Sequence, residues 1–159
     1  MLESFSIWLR TTQLSSFVVT YTWVWPTCET LHFIGLAMLI GTVWIMDLRM
    51  LGVAKGLPLA PLHRLIRWGV AGFIINFVTG VLFFVGTPYQ YIGNIGFYLK
   101  MLFIVLAGIN VLVFYLTVFH RVEMLEPGED APFPAKVIAV LSLVLWLGVM
   151  SFEIGRAHV

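Results

Sequence analysis

Three ionisable side chains lie within stretches of sequence that are otherwise almost entirely apolar: Glu29, His32 and Lys100. On insertion scales an ionisable side chain inside a bilayer costs roughly 2.5–3.5 kcal/mol, so each of these needs a reason to be there. An imidazole can bind a metal or carry a proton, and a carboxylate can exchange protons. These residues are therefore the first candidates for a functional site.

The stretches that carry these residues are long and apolar enough to cross a membrane. Of the 159 residues, 60% are hydrophobic and only 11% are charged, whereas soluble domains carry about 25% charged residues. A spanning helix needs about 20 mostly apolar residues. The sequence therefore predicts an all-α integral membrane protein, a four-helix bundle that forms a single transmembrane domain over residues 1–159, with spans at about 26–46, 68–85, 97–119 and 135–152.

The segment before the first span has a different pattern, because polar residues interrupt its apolar ones. Residues 3–20 are typical of a helix that lies in the membrane interface instead of crossing it. The segment lacks the basic start and small-residue cleavage site of a secretory signal. Trp23, Trp25 and Pro26 then mark the entry to span one, since aromatic rings favour the headgroup level and proline is tolerated in a first helical turn.

The basic residues predict the orientation in the membrane. The basic residues that flank the first and third connections are Arg49, Lys55, Arg64, Arg67, Arg121 and Lys136. The second connection contains no Lys or Arg. Because cytoplasmic loops collect Lys and Arg, both termini are predicted to lie outside, which in a bacterium is the periplasmic side of the inner, or plasma, membrane. The net charge of +1 and the absence of a basic run give no reason to expect nucleic acid as a partner. The lipid bilayer is the expected partner.

With this topology the candidate residues gather in the outer half of the bundle. At about 1.5 Å per residue, His32 lies roughly 9 Å beyond Pro26, and Lys100 lies roughly 4–5 Å beyond Phe97. The two side chains can therefore meet in one layer if spans one and three face each other. Arg156, at the outer end of span four, is predicted to lie on the same side.

Helical spacing adds neighbours to His32. Glu29 precedes it by three residues and Cys28 by four, so the three side chains are predicted to share a helix face. Gly35, three residues after His32, removes side-chain bulk beside the imidazole.

Two sets of small residues predict close helix packing. In span two, Gly72, Asn76 and Gly80 recur every fourth residue, and Ala37 and Gly41 form a small pair in span one. Such spacing lets membrane helices approach closely. Packing is the ordinary explanation for both sets, and interhelical hydrogen bonding is the ordinary role for Asn76.

Four stretches of the sequence resemble a known group of membrane proteins. Span one reads LHFIGLAMLIG (31–41) and is followed by DLRMLG (47–52), span two carries FVTGVLFF (77–84), and span three opens FYLKMLFIVLAGINV (97–111). The chain looks like a group of uncharacterised bacterial four-span proteins. More distantly, it is similar to the superfamily that holds HemJ-type protoporphyrinogen oxidases and CopD-type copper proteins. In HemJ-like proteins a histidine early in the first span and a lysine that opens the third are implicated in b-haem binding, and His32 and Lys100 occupy those places.

The resemblance implies a haem b protein that transfers electrons or oxidises a small hydrophobic substrate, such as a quinol or a porphyrinogen. His32 is the expected ligand of the metal, and Gly35, Lys100 and Arg156 are the other expected cofactor-binding residues. Lys100 binds iron only if it is neutral, and otherwise Lys100 or Arg156 pairs with a propionate. Glu29 and Lys100 are the expected catalytic residues, with Glu29 in proton exchange. Whether the protein is an enzyme, and which redox partner it has, stay open.

Two alternatives remain open at this point. A copper-handling protein of the CopD type would use Cys28 and His32, with soft sulfur ligands from Met38, Met46 and Met101. A non-enzymatic channel, or a subunit of a larger complex, would need only the membrane surface and the small-residue seams. The sequence leaves homo-oligomer formation open as well.

Overall fold

Helices account for nearly all of the secondary structure in the computed structural model, which describes residues 2–154 apart from the side chains of residues 2, 60, 153 and 154. Four of the helices in this range are long and apolar enough to cross a membrane. The predicted all-α membrane bundle is thereby confirmed. The helices in chain order are α1 (Leu2–Arg10), α2 (Gln13–Thr20), α3 (Val24–Leu51), α4 (Leu59–His63), α5 (Ile66–Gly86), α6 (Pro88–Ile92), α7 (Ile95–Thr117), α8 (Phe119–Glu123) and α9 (Phe133–Ile154).

The outward faces of the long helices α3, α5, α7 and α9 are apolar. Phe33, Phe77 and Leu116 expose 66%, 64% and 74% of their surfaces. Apolar surface of this extent is unfavourable in water and fits a hydrocarbon environment. The molecule is therefore a multi-pass membrane protein, and lipid is the environment that its surface fits.

The first long helix continues beyond the predicted end of span one. Asp47 and Arg49 follow the predicted span, yet they lie inside α3 with 3% and 0% of their surfaces exposed. The Asp47 carboxylate lies close to Ser142 of α9. The helix ends at Leu51 because Gly52 adopts a φ of 90°, and its N–H bonds back to the carbonyls at the end of α3.

The N-terminal segment forms two helices where the sequence predicted one. Thr12 separates them and caps α2, since its side chain accepts a hydrogen bond from the Ser15 N–H at 3.3 Å. Both helices pack against α5, and α1 also contacts α6. A Cβ on Gly86 would lie 2.9 Å from Val18, so α2 sits close against the end of α5.

The four long helices pack in the order α5, α3, α9, α7. Helix α3 contacts both α5 and α9, and α7 contacts α9. Within the part of the chain that the structure describes, α5 and α7 do not pack against each other along their length. A cleft is therefore left between α5 and α7.

The closest helix contact is the one predicted from the glycine spacing in span two. A Cβ on Gly35 of α3 would lie only 2.8 Å from the Gly72 carbonyl oxygen and 3.0 Å from the Asn76 Nδ2 atom. The absence of side chains at Gly35 and Gly72 is what lets α3 and α5 approach so closely. The pair Ala37 and Gly41 faces outward instead, and a Cβ on Gly41 would meet nothing within 4 Å.

The end of the bundle that holds Arg49, the first connection (52–58) and the third connection (124–132) is densely bonded, and we call it the clamp end. The Arg49 guanidinium donates to three backbone carbonyls, those of Leu57 at 2.7 Å, Glu129 at 3.1 Å and Glu126 at 3.1 Å. Arg49 thus joins the first connection to the third. A hydrophobic cluster lies beside it: Met46, Met50, Leu59, Leu62, Phe114, Val118, Val122, Ala131, Ala135, Ile138 and Ala139.

Ion pairs on the surface of the clamp end add to this link. Asp130 contacts Lys55 at 3.1 Å and Lys136 at 2.8 Å. The hydrogen bonds from Lys136 and Lys55 hold the pKa of Asp130 below its usual value. The Gly128 N–H donates to the Lys55 carbonyl at 2.8 Å, so the two connections are also bonded through their backbones.

Candidate functional site

A cavity of about 420 Å³ fills the cleft between α5 and α7, and we call this half of the bundle the cavity end. Its wall comes from α3, α5, α6, α7 and α9, which the sequence separates widely. Most of the wall is aliphatic or aromatic: Leu36, Leu39, Phe73, Phe77, Gly80, Val81, Phe83, Phe84, Phe97, Met101, Ile104, Val105 and Val149. The residues with polar groups in the wall are His32, Asn76, Tyr91, Lys100 and Trp146.

His32 is buried in this wall, with 7% of its surface exposed. Its Nδ1 atom lies 2.6 Å from the Thr79 Oγ1 atom. The Thr79 hydroxyl has one hydrogen, and it donates this hydrogen to the Ile75 carbonyl at 2.8 Å, one turn back along α5. Since Thr79 uses this hydrogen, we assign Nδ1 as the donor to Thr79, and a neutral ring of this tautomer carries its lone pair on Nε2.

The space beside the imidazole is left by a glycine. A Cβ on Gly80 would meet only the His32 Cε1 atom, at 4.0 Å. On another side the Phe83 ring packs against the imidazole, with 5.6 Å between the ring centroids. His32 is thus held in one orientation by a hydrogen bond and an aromatic contact, and the ring edge is not crowded at Gly80.

Lys100 lies in the wall of the same cavity, on α7. The Asn94 side chain caps α7 by accepting a hydrogen bond from the Gly96 N–H at 2.8 Å. This cap sets where α7 begins and therefore how far along the helix Lys100 lies. His32 on α3 and Lys100 on α7 thus line the same cavity.

Glu29 is placed elsewhere. Its side chain is exposed, and it accepts a hydrogen bond from the Trp25 Nε1 atom at 3.0 Å. Cys28 and His32 are buried while Glu29 is not, so the expectation that the three residues share one face is wrong. A separation of three residues leaves two side chains about 60° apart around a helix. Here that difference takes Glu29 out of the bundle.

Of the two remaining predicted cofactor-binding residues, Gly35 and Arg156, the structure describes Gly35. Gly35 is absent from the cavity wall, because α5 occupies the space beside it at Gly72. Arg156 lies outside the described residues.

The sulfur atoms proposed for a copper site are dispersed. Cys28 is buried among apolar residues near α2, whereas Met46 belongs to the hydrophobic cluster of the clamp end. Of the three methionines, Met101 is in the cavity wall. Among residues 2–154, no group of three or more His, Cys, Asp or Glu side chains is arranged to hold a metal ion.

Two residues of the site were missed from the sequence. Thr79, which orients His32, follows Asn76 by three residues, so it was readable as a further polar group on the small-residue seam of span two. Tyr91 is buried, with 5% of its surface exposed, and lies in the cavity wall. Tyr91 belongs to the short helix α6, in a stretch that was predicted to be a connection. The pattern that could have indicated its burial is the lack of charge in this stretch together with its two tyrosines.

Fold and site together define a class: a small multi-pass helical membrane protein with a histidine and a lysine in the wall of an apolar cavity. The chain belongs to the family of unknown function DUF6644, whose model matches residues 5–156. No curated protein and no solved structure matches the chain. The family match makes no link to HemJ-type or CopD-type proteins, so that resemblance stays a prediction.

Proposed function

We propose that this protein is a membrane redox protein that binds haem b in the cavity at His32. The observation that carries the proposal is the 2.6 Å contact between His32 Nδ1 and the Thr79 hydroxyl, in which we assign Nδ1 as the donor because Thr79 donates to the Ile75 carbonyl. Histidines that bind metals usually donate their other ring N–H in this way, which sets the tautomer and the ring orientation. A neutral imidazole is also the form that haem iron binds.

The donor set fits a porphyrin better than it fits a bare ion. A porphyrin supplies four ligands of its own and needs one or two axial side chains, together with an apolar slot. A copper or zinc ion without a porphyrin takes its ligands from several protein side chains, usually three or four. The described part of the chain holds no such group of three metal ligands. His32 and the apolar cavity wall around it would instead supply the axial side chain and the apolar slot that a porphyrin needs.

Each residue of the wall then has a role that follows from its chemistry. His32 would be the axial ligand, and Thr79 would fix its ring. Lys100 would pair with a propionate or, when neutral, ligate the iron. The aromatic residues of the wall, such as Phe83 and Phe84, would exclude water from the site. Bound haem supplies one-electron chemistry, and a small hydrophobic molecule such as a quinol or a porphyrinogen is the substrate class that a bilayer delivers.

The proposal includes an orientation. The basic residues flank the first and third connections at the clamp end, so we infer that the clamp end is cytoplasmic and that the cavity end faces the periplasmic side of an inner membrane. Glu29 lies exposed near the cavity end, where its carboxylate would exchange protons with the outer surface and not with the cavity.

The visible spectrum of the purified full-length protein tests the proposal. After expression with ample haem, the detergent-solubilised protein should show a Soret band that shifts on reduction with dithionite. His32→Ala should lose this band, whereas His120→Ala should keep it, because His120 is exposed on α8 and is not part of the cavity wall. Absence of a Soret band from the wild-type protein would overturn the haem assignment. A band that survives in His32→Ala would reject His32 as the ligand.

The same preparation separates the alternatives. Copper found by metal analysis without a porphyrin spectrum would favour the copper-handling function. A colourless, metal-free protein that purifies as a defined oligomer would favour a channel or a subunit of a larger complex.

A further inference from the structure

The clamp end has a second concave region, and we propose that it binds the headgroup of an anionic phospholipid. The groove has a volume of about 670 Å³ and is lined by His63, Arg64, Ile66, Arg67 and Val70. It lies where α4 meets the start of α5. This proposal does not depend on the haem assignment, because none of these residues belongs to the cavity wall.

The groove carries two positive charges, those of Arg64 and Arg67. Both arginines are exposed and one helical turn apart. Among the residues whose side chains the structure describes, neither guanidinium has an acidic or carbonyl partner. Lys55 and Lys136 at the same end are different, since both contact Asp130.

One wall of the groove is held by contacts to the next span. The His63 ring lies 4.9 Å from the Phe119 ring and 6.3 Å from the Tyr115 ring, measured between centroids. The Tyr115 hydroxyl also lies 3.5 Å from the His63 Nε2 atom. His63 therefore stands as a fixed side of the groove between α4 and the end of α7, and the two arginines stand beside it.

The surroundings favour a lipid over a soluble anion. Trp68, next to Arg67, exposes 56% of its surface, and exposed tryptophans at the end of a span lie at the level of the headgroups. From the groove, Val70 and Ile74 continue along the outer face of α5 with 51% and 55% of their surfaces exposed. A phosphodiester at the two guanidiniums would thus leave its acyl chains against an apolar helix face. The planar guanidinium of each arginine suits a phosphate group, which it can bind through two parallel hydrogen bonds.

Native mass spectrometry of the full-length protein in detergent tests the site, with phosphatidylglycerol and phosphatidylcholine of identical acyl chains as the probes. Basic residues near a membrane surface contribute about 1 kcal/mol each, so two arginines predict about thirtyfold tighter binding of phosphatidylglycerol. Arg64→Gln/Arg67→Gln should bind both lipids equally. Arg121→Gln is the matched control, because Arg121 is exposed near the same end but lies outside the groove, and this variant should keep the preference.

Three results would overturn the proposal: no preference in the wild-type protein, an unchanged preference in the double variant, or an equal loss in Arg121→Gln. Millimolar inorganic phosphate is added in a parallel titration. Displacement of phosphatidylglycerol by phosphate would identify an anion site that does not recognise lipid and would also overturn the proposal. If the double variant does not fold, the single variants Arg64→Gln and Arg67→Gln replace it, each with an expected loss of about fivefold.

Discussion

The two ends of this bundle use their buried polar residues in opposite ways. At the clamp end, Arg49 is completely buried, and its guanidinium donates to three backbone carbonyls of two connections. At the cavity end, His32 and Lys100 lie in the wall of a cavity of about 420 Å³, between two helices that hardly touch.

This difference separates a structural role from the proposed binding role along one bundle. A buried guanidinium whose hydrogen bonds go to backbone carbonyls holds elements together and leaves little capacity for a ligand. A histidine whose Nδ1 atom is hydrogen-bonded is held in the way that metal-binding histidines usually are. The two ends can therefore be disrupted separately, and the following substitutions are ordered from the largest expected effect to the smallest.

Arg49→Met should produce the largest loss of stability. Methionine is unbranched and of similar length, but it removes the charged donors from three backbone carbonyls. Hydrogen bonds to charged groups contribute about 1.5–3 kcal/mol each. We expect the free energy of unfolding to fall by about 3 kcal/mol or more. Denaturant unfolding of the purified protein, followed by circular dichroism, measures the change.

Arg121→Met is the control for this experiment, since it removes an exposed arginine, and it should change the unfolding free energy by about 0.5 kcal/mol or less. Equal stabilities of the Arg49 and Arg121 variants would contradict the role assigned to the clamp end.

Gly35→Ala should weaken the contact between α3 and α5 that supports the cavity wall. The new Cβ would lie 2.8 Å from the Gly72 carbonyl oxygen, which is backbone and cannot rotate away. Overpacking of this kind typically costs about 1–3 kcal/mol. Gly41→Ala is the matched control on the same helix, because its Cβ meets nothing within 4 Å and alanine favours the helix by about 0.5–1 kcal/mol. Melting temperatures should therefore move in opposite directions, and a fall in both would count against the packing argument.

Thr79→Val should act at the cavity end with a smaller effect on stability. The His32 N–H would lose its acceptor, which we expect to cost about 1 kcal/mol. If haem is bound as proposed, its affinity should fall by about tenfold, as is typical when a partner that orients a metal ligand is removed. Haem titration of the apoprotein measures this change. Thr79→Ser keeps the hydroxyl and should behave like the wild-type protein, and a loss of affinity in Thr79→Ser equal to that in Thr79→Val would reject the orienting role.

Asp130→Asn should have the smallest effect, and the effect should depend on pH. Lys136 and Lys55 lower the pKa of Asp130 in the folded protein, so its ion pairs stabilise the fold above the pKa of the carboxyl in the unfolded chain. This contribution is lost as the pH falls through the lowered folded pKa. Wild-type and Asp130→Asn proteins should differ slightly in melting temperature near neutral pH and converge in strong acid. A difference that grows on acidification would contradict the assignment.

Part of the candidate site could be predicted from the sequence because depth in a membrane depends on position along a span. The separations of His32 from Pro26 and of Lys100 from Phe97 predicted that both side chains lie in one layer, and both residues line the cavity. The direction of Glu29 could not be obtained in this way. It depends on the rotation of α3 about its own axis, and that rotation is set by packing against α5 and α9.

Arg49 shows the same limit at the other end. In the sequence it follows an apolar span by three residues and looks like a residue that reaches the headgroups. In the structure it is buried, because the first and third connections fold over it and supply carbonyl acceptors from Leu57, Glu126 and Glu129. Those acceptors are up to eighty residues away in the chain, so no local sequence pattern predicts them.

The sequence by itself determined that four long apolar helices form and where they lie, because a helix that crosses a bilayer needs about 20 apolar residues whatever it packs against. Only the tertiary structure decided that α5 and α7 stay apart, that Thr79 orients His32, and that Arg49 is enclosed. These features depend on how each helix is rotated and which neighbours it meets. Contacts of that kind are made between residues that the chain itself keeps far apart.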